Sequence, residues 1–217
     1  MKNFTSLILL AVVLLGCKNN SLNTEIAAEN TLSTHPKSIY IPIEFDINII
    51  KNPEIVFCGL AEKELFEAEI LQLVNQYRSQ GSVCGDTYYP PTMPLKWNQS
   101  LFHSSIINSI DMAKSNLISH TNVDGKEVAD KFRLSSYTFS IAMENIAVGH
   151  SHIIDVMTAW KQSPGHCKNM MDARITEIAA ACTYKKESFY KYYWTMHLGA
   201  PITSKPKIEK IRGRYVQ

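Results

Sequence analysis

Residues 141–171, which read IAMENIAVGHSHIIDVMTAWKQSPGHCKNMM, contain the clearest local pattern of the chain. Four apolar residues in this stretch recur at the spacing of one helix face: Ile153, Val156, Met157 and Trp160. Ser151 is placed to cap this helix, and Pro164-Gly165 is typical of a helix end. The stretch therefore predicts a helix that ends near Trp160, a turn, and a second short helix.

Two ionisable side chains lie on either side of the predicted helix. Glu144 precedes it in a Glu-Asn pair, and His166 follows it near the start of the second short helix. A rigid element between two such groups is a common way to hold a polar site on a scaffold. The stretch is therefore the first candidate for a functional site.

Several motifs follow one another in a specific order. The stretch itself carries Glu-Asn-Ile-Ala, Ala-Trp and Ser-Pro-Gly-His-x-x-Asn-Met. Further segments agree with it in order: Asn75-Gln76-Tyr77-Arg78, Leu95-Lys96-Trp97-Asn98, Asp111-Met112-Ala113 with Ser119-His120, and Tyr193-Trp194-Thr195. This series, over about 64–201, resembles the bacterial branch of the CAP superfamily, which joins the cysteine-rich secretory, antigen 5 and pathogenesis-related proteins.

The resemblance implies an α+β fold for residues 62–201, a three-layer α-β-α sandwich around a central antiparallel sheet. Periodicity predicts helices over 62–80 and 98–116, a short helix within 122–140, and a loop over 81–94. Strands are predicted over 177–183 and 190–198. The serine-rich face of the second helix predicts close approach to another helix.

The N-terminus has the features of an export signal. Lys2 is followed by the apolar run 7–15, which is too short to span a bilayer of about 30 Å. Leu14-Leu15-Gly16-Cys17 resembles a bacterial lipobox, so residues 1–16 are expected to be a signal peptide and Cys17 the lipidated first residue. An ordinary cleaved signal is the alternative. Residues 17–61 are then a lipidated tether and an extended arm, and the protein belongs to the cell envelope, on the periplasmic or surface face of the outer membrane.

Composition narrows the classes of function. A hydrophobic fraction of 45% supports a real core, and a net charge of +2 does not favour nucleic acid. The C-terminal tail, residues 202–217, carries five basic residues against Glu209 and is expected to be a solvated end. We expect a monomer whose membrane contact is its N-terminal lipid.

Four cysteines remain when Cys17 is set aside: Cys58, Cys84, Cys167 and Cys182. An exported protein meets an oxidising environment, so two disulfides are expected, with buried free thiols as the alternative. Four cysteines allow three pairings, and the residues alone do not choose between them. The resemblance favours Cys84–Cys167, which leaves Cys58–Cys182.

The resemblance also places His120, Glu144 and His166 on one cleft, with Asn145 and Ser163 beside them. No local metal motif joins the first three residues, so only the fold can bring them together. Two imidazoles and a carboxylate match a zinc site in kind. Ser163 stands near the place where the family usually has a second glutamate, which predicts weak zinc binding. The alternative is a structural hydrogen-bonded network.

These residues favour a non-catalytic binding module for a small ligand, a lipid, an envelope glycan or a divalent metal. No residue is assigned a catalytic role, because the resemblance implies no settled reaction. A metal-dependent hydrolase with Glu144 as general base is one alternative. A structural or adhesion protein of the envelope is another.

Overall fold

A computed structural model of the chain describes residues 55–58 and 63–202. The predictions for the signal peptide, Cys17, most of the 17–61 segment and the basic tail lie outside these residues. Twelve elements follow in order: β1 (Ile55–Phe57), α1 (Lys63–Gln80), β2 (Ser82–Cys84), β3 (Thr87–Tyr89), β4 (Lys96–Trp97), α2 (Gln99–Ser115), α3 (Val128–Leu134), β5 (Phe139–Val148), α4 (Ile153–Gln162), α5 (Pro164–Met171), β6 (Glu177–Lys185) and β7 (Tyr192–Pro201).

The central sheet has the strand order β1-β6-β7-β5, and neighbouring strands along this path are antiparallel. The short strand β4 adds to β6 in parallel. The strands β2 and β3 form a separate hairpin. A central antiparallel sheet is therefore confirmed, and β5 is its edge strand beside β7.

Helices cover both faces of this sheet. On one face α1, α4 and α5 pack with the sheet in a core that includes Ile70, Trp160 and Met170. On the other face α2 and α3 pack in a second core that includes Leu101 and Phe132. Side chains alternate along β7, and the first core receives Trp194, Met196 and Leu198. The predicted three-layer α+β sandwich is confirmed.

The serine-rich face of α2 lies against the sheet, so the predicted close approach to another helix is wrong. The hydroxyl of Ser105 donates to the carbonyl of Leu101 at 2.8 Å and approaches the carbonyl of Ala179 in β6 at 3.4 Å. The hydroxyl of Ser109 shares a hydrogen bond of 2.7 Å with Thr183. Small residues allow the helix to come close to β6, and the buried hydroxyls of Ser105 and Ser109 keep partners there.

The helix signals around α4 are correct to within two residues. The helix begins at Ile153 with His152 rather than Ser151 as its N-cap, and it ends at Gln162. Pro164 is the first residue of α5, where its missing N–H costs no hydrogen bond. Only Ser163 separates the two helices, so the predicted turn is a single junction residue.

Two strand regions differ from the sequence prediction. The predicted loop 81–94 contains the β2–β3 hairpin, whose turn uses Gly85 at φ 61. The strand β5 has no simple apolar alternation, because helices bury both faces of the sheet and both faces carry polar residues there. Ten residues that hold the Glu-Asn pair therefore form a strand that periodicity does not indicate.

The disulfide that the resemblance favoured, Cys84–Cys167, is present, and so is the remaining pair, Cys58–Cys182. Cys84–Cys167 joins the β2–β3 hairpin to α5, and Cys58–Cys182 joins the residue after β1 to β6. Each bond closes a long loop, which limits the conformations of the unfolded chain. Among residues 55–58 and 63–202, no helix is both long and apolar enough to cross a bilayer.

Candidate functional site

His120 and Glu144 meet directly in the structure. His120 lies in the loop after α2, Glu144 lies in the edge strand β5, and Nδ1 of the histidine is 2.7 Å from Oε1 of the glutamate. A carboxylate only accepts hydrogen bonds, so we assign the proton of this contact to Nδ1. The imidazole Nε2 is therefore on the side of the ring away from Glu144. Since the His120 side chain is 54% exposed, this edge is available to a ligand.

Glu144 is buried and fully engaged. Its side chain is 1% exposed, and its Oε2 accepts from the ammonium of Lys131 at 2.9 Å and from Nε2 of His197 at 2.7 Å. Burial raises the pKa of Glu144, but the hydrogen bonds of His120 and His197 and the charge of Lys131 outweigh it and lower the pKa to about 2. Glu144 is therefore a buried anion that is closed to a ligand.

Lys131, which the sequence prediction missed, supplies the charge that balances Glu144. It belongs to α3, its side chain is only 4% exposed, and its Nζ also donates to the carbonyl of His120 at 2.6 Å. An unpaired ammonium at this depth would tend to lose its proton. The pair instead joins α3, the His120 loop and β5 at one point.

His197 is the second partner that the sequence analysis did not select. It stands opposite Glu144 in the β5–β7 register and is completely buried, with its ring 4.9 Å from the ring of Phe132. Burial lowers the pKa of His197 against the opposing effect of Glu144, so the ring is neutral and donates through Nε2. Strand alternation puts this histidine on the face opposite Trp194 and Met196, but only the pairing of β5 with β7 reveals its partner.

His166 lies on the other side of the edge strand, in the first turn of α5. Burial lowers the pKa of His166, and the charge of His120 lowers it further. The carbonyl of His166 accepts from Nδ2 of Asn145 at 3.1 Å, and Oδ1 of Asn145 accepts from Asn169 at 2.9 Å. Asn145 is fully buried, so it holds α5 against β5 and does not line an open cleft.

Ser163 is at the junction of α4 and α5, half-buried, with no side-chain capping bond. Its N–H donates to the carbonyl of Ala159, and its carbonyl accepts from the N–H of Cys167. Ser163 thus shapes the turn that presents His166. It stands apart from the hydrogen-bonded cluster of Glu144, His120, Lys131 and His197, hereafter the Glu144 cluster.

The predicted zinc ligands do not fit a three-ligand site in this structure. Within the described ranges, no group of three His, Cys, Asp or Glu side chains is placed to hold a metal ion. The reason is chemical, because both oxygens of Glu144 already accept from Lys131, His197 and His120. A zinc ion would have to displace a buried ammonium from its counter-ion.

Two cavities of about 440 Å³ lie elsewhere on the protein. One is bordered by α1 and the start of α4, and Phe66, His152 and Trp194 are among its lining residues. The other is bordered by Arg133 and Tyr137. Neither is lined by the Glu144 cluster or by His166, so the chemistry points to a site that the cavity volumes alone would miss.

The comparisons with known proteins agree with this architecture. The model of the cysteine-rich secretory protein family matches residues 71–198, more than half of the chain. The uncharacterized protein YkwD of Bacillus subtilis (strain 168) is 26% identical over 113 residues, 52% of this chain and 40% of that relative. This chain thus spans less than half of that relative's length.

Two solved structures are similar in fold. An extracellular protein containing a SCP domain from Bacillus anthracis has a TM-score of 0.51 at 24% identity, over 63% of this chain and 41% of that one. An outer surface protein from Borrelia burgdorferi has a TM-score of 0.52 at 15% identity, over 66% of this chain and 95% of that one. With the family match over most of the described domain, the chain belongs to the cysteine-rich secretory protein (CAP) family.

Proposed function

We propose that this protein is a lipid-anchored, extracytoplasmic CAP domain that binds a small anionic ligand between His120 and His166 and carries out no catalysis. The observation that carries this proposal is the state of Glu144, which is buried, ionised and hydrogen-bonded on both oxygens. The ligand-facing groups that remain are the two imidazoles. Binding a ligand needs only the nitrogen atoms of these two imidazoles, whereas hydrolysis would need a free base.

The charges around the cleft support an anion. Lys131 neutralises Glu144, so their pair adds no net negative charge. The hydrogen bond to Glu144 raises the pKa of His120 in spite of its partial burial, which favours the imidazolium form. A protonated Nε2 donates to a carboxylate or phosphate oxygen in a charge-assisted hydrogen bond. With Ser163 where the family usually has a second acid, little at the site attracts a cation.

The metal-dependent hydrolase draws no support from this geometry. A general base needs a pKa near the working pH and contact with a water, while Glu144 has a pKa of about 2 and no accessible oxygen. Weak zinc binding through the two imidazoles stays a prediction. It is one outcome of the experiment below.

The proposed location rests on the N-terminus and on the neighbours in fold. Lys2, the apolar run 7–15 and Cys17 have the pattern of a lipoprotein signal. The two similar structures are described as an extracellular protein and an outer surface protein. Both lines support a place in the cell envelope.

Titration calorimetry on the full chain tests the binding site. Sodium phosphate, sodium acetate and zinc chloride are added separately at about pH 6, where a histidine of raised pKa is protonated. We expect one of the anions to bind, and His120→Ala or His166→Ala to weaken that binding about tenfold or more, since each removes a charge-assisted hydrogen bond. The matched control is His152→Ala, an exposed histidine outside the cluster.

Three results would count against the proposal. Equal anion binding by the wild type and both variants would remove the site. Zinc binding that is tighter than anion binding and lost in both variants would replace the anion with a metal. No heat from either anion would also reject the proposed ligand class.

A further inference from the structure

We propose that the turn between β6 and β7 docks on an anionic phospholipid surface, with the ring of Phe189 entering the headgroup region between Lys186 and Lys191. This surface, hereafter the Phe189 tip, is residues 186–191. The inference goes beyond the proposed function and does not depend on the Glu144 cluster. It concerns how the folded domain contacts a membrane, whichever way the N-terminus is attached.

Phe189 is the most exposed large apolar side chain among residues 55–58 and 63–202. It is 91% exposed, compared with 76% for Met93. A phenylalanine that contributes nothing to the core leaves a large apolar surface in water, which is unfavourable unless something covers it. Its ring contacts the ring of Tyr190 edge-on at 5.1 Å, and Tyr190 meets Tyr193 in the same way at 6.1 Å. The two tyrosines therefore support the phenylalanine from the protein side.

The backbone of the tip is held in place by hydrogen bonds. The N–H of Lys185 donates to the carbonyl of Lys191 at 2.7 Å, and the N–H of Ser188 donates to the carbonyl of Lys185 at 3.1 Å. The buried hydroxyl of Ser188 is hydrogen-bonded to the hydroxyl of Tyr193 and accepts from the N–H of Tyr190. The exposed ring is thus presented by an ordered turn, so docking requires little further loss of backbone entropy.

The charges of the tip suit an anionic surface. Lys186 and Lys191 are exposed on either side of Phe189, and Glu187 is the acidic residue between them. Lys185 has a different role, because its ammonium donates to the carbonyl of Ala113 at the end of α2. That contact brings the exposed Lys114 to the same end of the molecule. Lysines near a membrane surface are attracted by anionic lipids, and an aromatic ring is favourable at headgroup depth.

The shape of the tip favours a membrane over an acidic protein. A hairpin turn that projects one ring is convex, whereas a stable protein interface buries about 1,200–2,000 Å² with good complementarity. A lipid surface adapts to a single inserted ring and needs no matching pocket. Amphipathic surfaces of this kind bind through apolar insertion together with electrostatic attraction.

The test reads the depth of residue 189 directly in the full chain. Phe189→Trp is mixed with vesicles of phosphatidylglycerol and phosphatidylcholine whose acyl chains carry bromine, and the wild type gives the background of the native tryptophans. We expect the fluorescence emission of the new tryptophan to shift to shorter wavelength and to be quenched by the bromine. Pure phosphatidylcholine or high salt should remove the effect. Adding Lys186→Glu and Lys191→Glu should lower the partitioning of the tip about tenfold or more.

The matched control is Met93→Trp, which puts a tryptophan at another exposed apolar position away from the tip. If the chain were attached to the vesicles only through another segment, the tryptophan at position 189 would not be quenched more than the tryptophan at position 93. Equal quenching at both positions, quenching that ignores the lipid charge, or no quenching above the wild type would each overturn the proposal. If the tip docks on an acidic protein rather than on lipid, the vesicles should give no quenching above the wild type.

Discussion

Glu144 and Asn145 are adjacent in the edge strand β5 and make different kinds of contact on the two faces of the sheet. Glu144 faces α3 and the His120 loop, where it is held by charged partners. Asn145 faces α5, where its amide is held by neutral hydrogen bonds to the His166 carbonyl and to Asn169. The charged face fixes His120 and the neutral face fixes His166. The comparison teaches that the Glu-Asn pair anchors two segments from opposite faces of the sheet, the His120 loop through a carboxylate and the start of α5 through an amide, while both side chains stay buried.

The largest expected effect comes from breaking the charged face. Glu144→Ala leaves Lys131 buried without a counter-ion, so we expect the free energy of unfolding to fall by about 3–5 kcal/mol. Urea denaturation followed by circular dichroism measures the change. Glu187→Ala, which removes an exposed carboxylate, is the control and should change stability by less than about 0.5 kcal/mol. A loss for Glu144→Ala no larger than the control would contradict the buried ion pair.

Lowering the pH should destabilise the protein through the same charged face, the Glu144 side of β5. Folding lowers the pKa of Glu144 from 4.5 to about 2, so its stabilisation is present above about pH 4.5 and is lost as the pH falls toward 2. His197, whose pKa is lowered from 6.5, also stabilises the fold only while neutral, so loss begins below about pH 6.5. His120 has a raised pKa and opposes this, since its contribution is present at low pH and lost as the pH rises through the folded-state value. Because its ring is exposed, solvent screens the interaction and the contribution of His120 to stability is small.

The pH dependence is measured by urea denaturation at a series of pH values. We expect Glu144 to account for a fall of about 3 kcal/mol between pH 4.5 and 2, which Glu144→Gln should flatten. A variant with the same acid dependence as the wild type would show that other carboxylates control acid unfolding. Asn145 itself does not titrate and makes no contact with Glu144 through its side chain, so Asn145→Leu should leave the Glu144 part of the slope unchanged.

Removing one neutral partner from the charged face should cost less. His197→Leu deletes a buried hydrogen bond to a carboxylate while Lys131 keeps its counter-ion, so we expect a loss of about 2 kcal/mol. The same change should raise the pKa of Glu144, because one of the groups that lower it is gone. Thermal unfolding at neutral pH measures the first effect. A more stable variant would mean that burying the imidazole costs more than its hydrogen bond returns.

The neutral face should show the smallest change. Asn145→Leu keeps the side-chain volume but removes the hydrogen bonds to α5, so we expect about 1 kcal/mol of lost stability. The more specific readout is binding, because His166 loses its support while His120 keeps its own. Anion affinity should fall in calorimetry, and the His120 ring should keep its titration by NMR. A changed His120 titration would show that the two faces are not independent.

The sequence predicted the architecture and half of the Glu144 cluster, for different physical reasons. Long helices such as α1 and α2 repeat over many turns, and the family motifs placed His120, Glu144 and His166 in one region. Lys131 and His197 were missed because their roles depend on strand register and on the packing of α3 across the sheet. The spacing of residues along the sequence gives neither the strand register nor the packing of α3. The strand β5 was missed because burial of both faces removes the alternation that marks a half-exposed strand.

The partners of the predicted zinc ligands could not be read from the sequence for the same reason. The sequence supplies two imidazoles and a carboxylate, but it does not show that Lys131 already neutralises Glu144. Ser105 and Ser109 likewise suggested a helix partner, while their hydroxyls in fact meet β6. In each case the sequence identified a residue that makes a specific polar contact, but it did not identify the partner in that contact.

The side-chain carboxyl of Glu144 offers the most direct test of the central claim, that this residue is a closed, ionised anchor for the cleft. Carbon-13 NMR of the labelled full chain would follow that carboxyl from neutral pH downward, with and without zinc chloride. The account predicts that Glu144 stays ionised until about pH 2 and that zinc leaves its signal in place. A carboxyl that titrates near its ordinary value of 4.5, or that shifts when zinc is added, would contradict it.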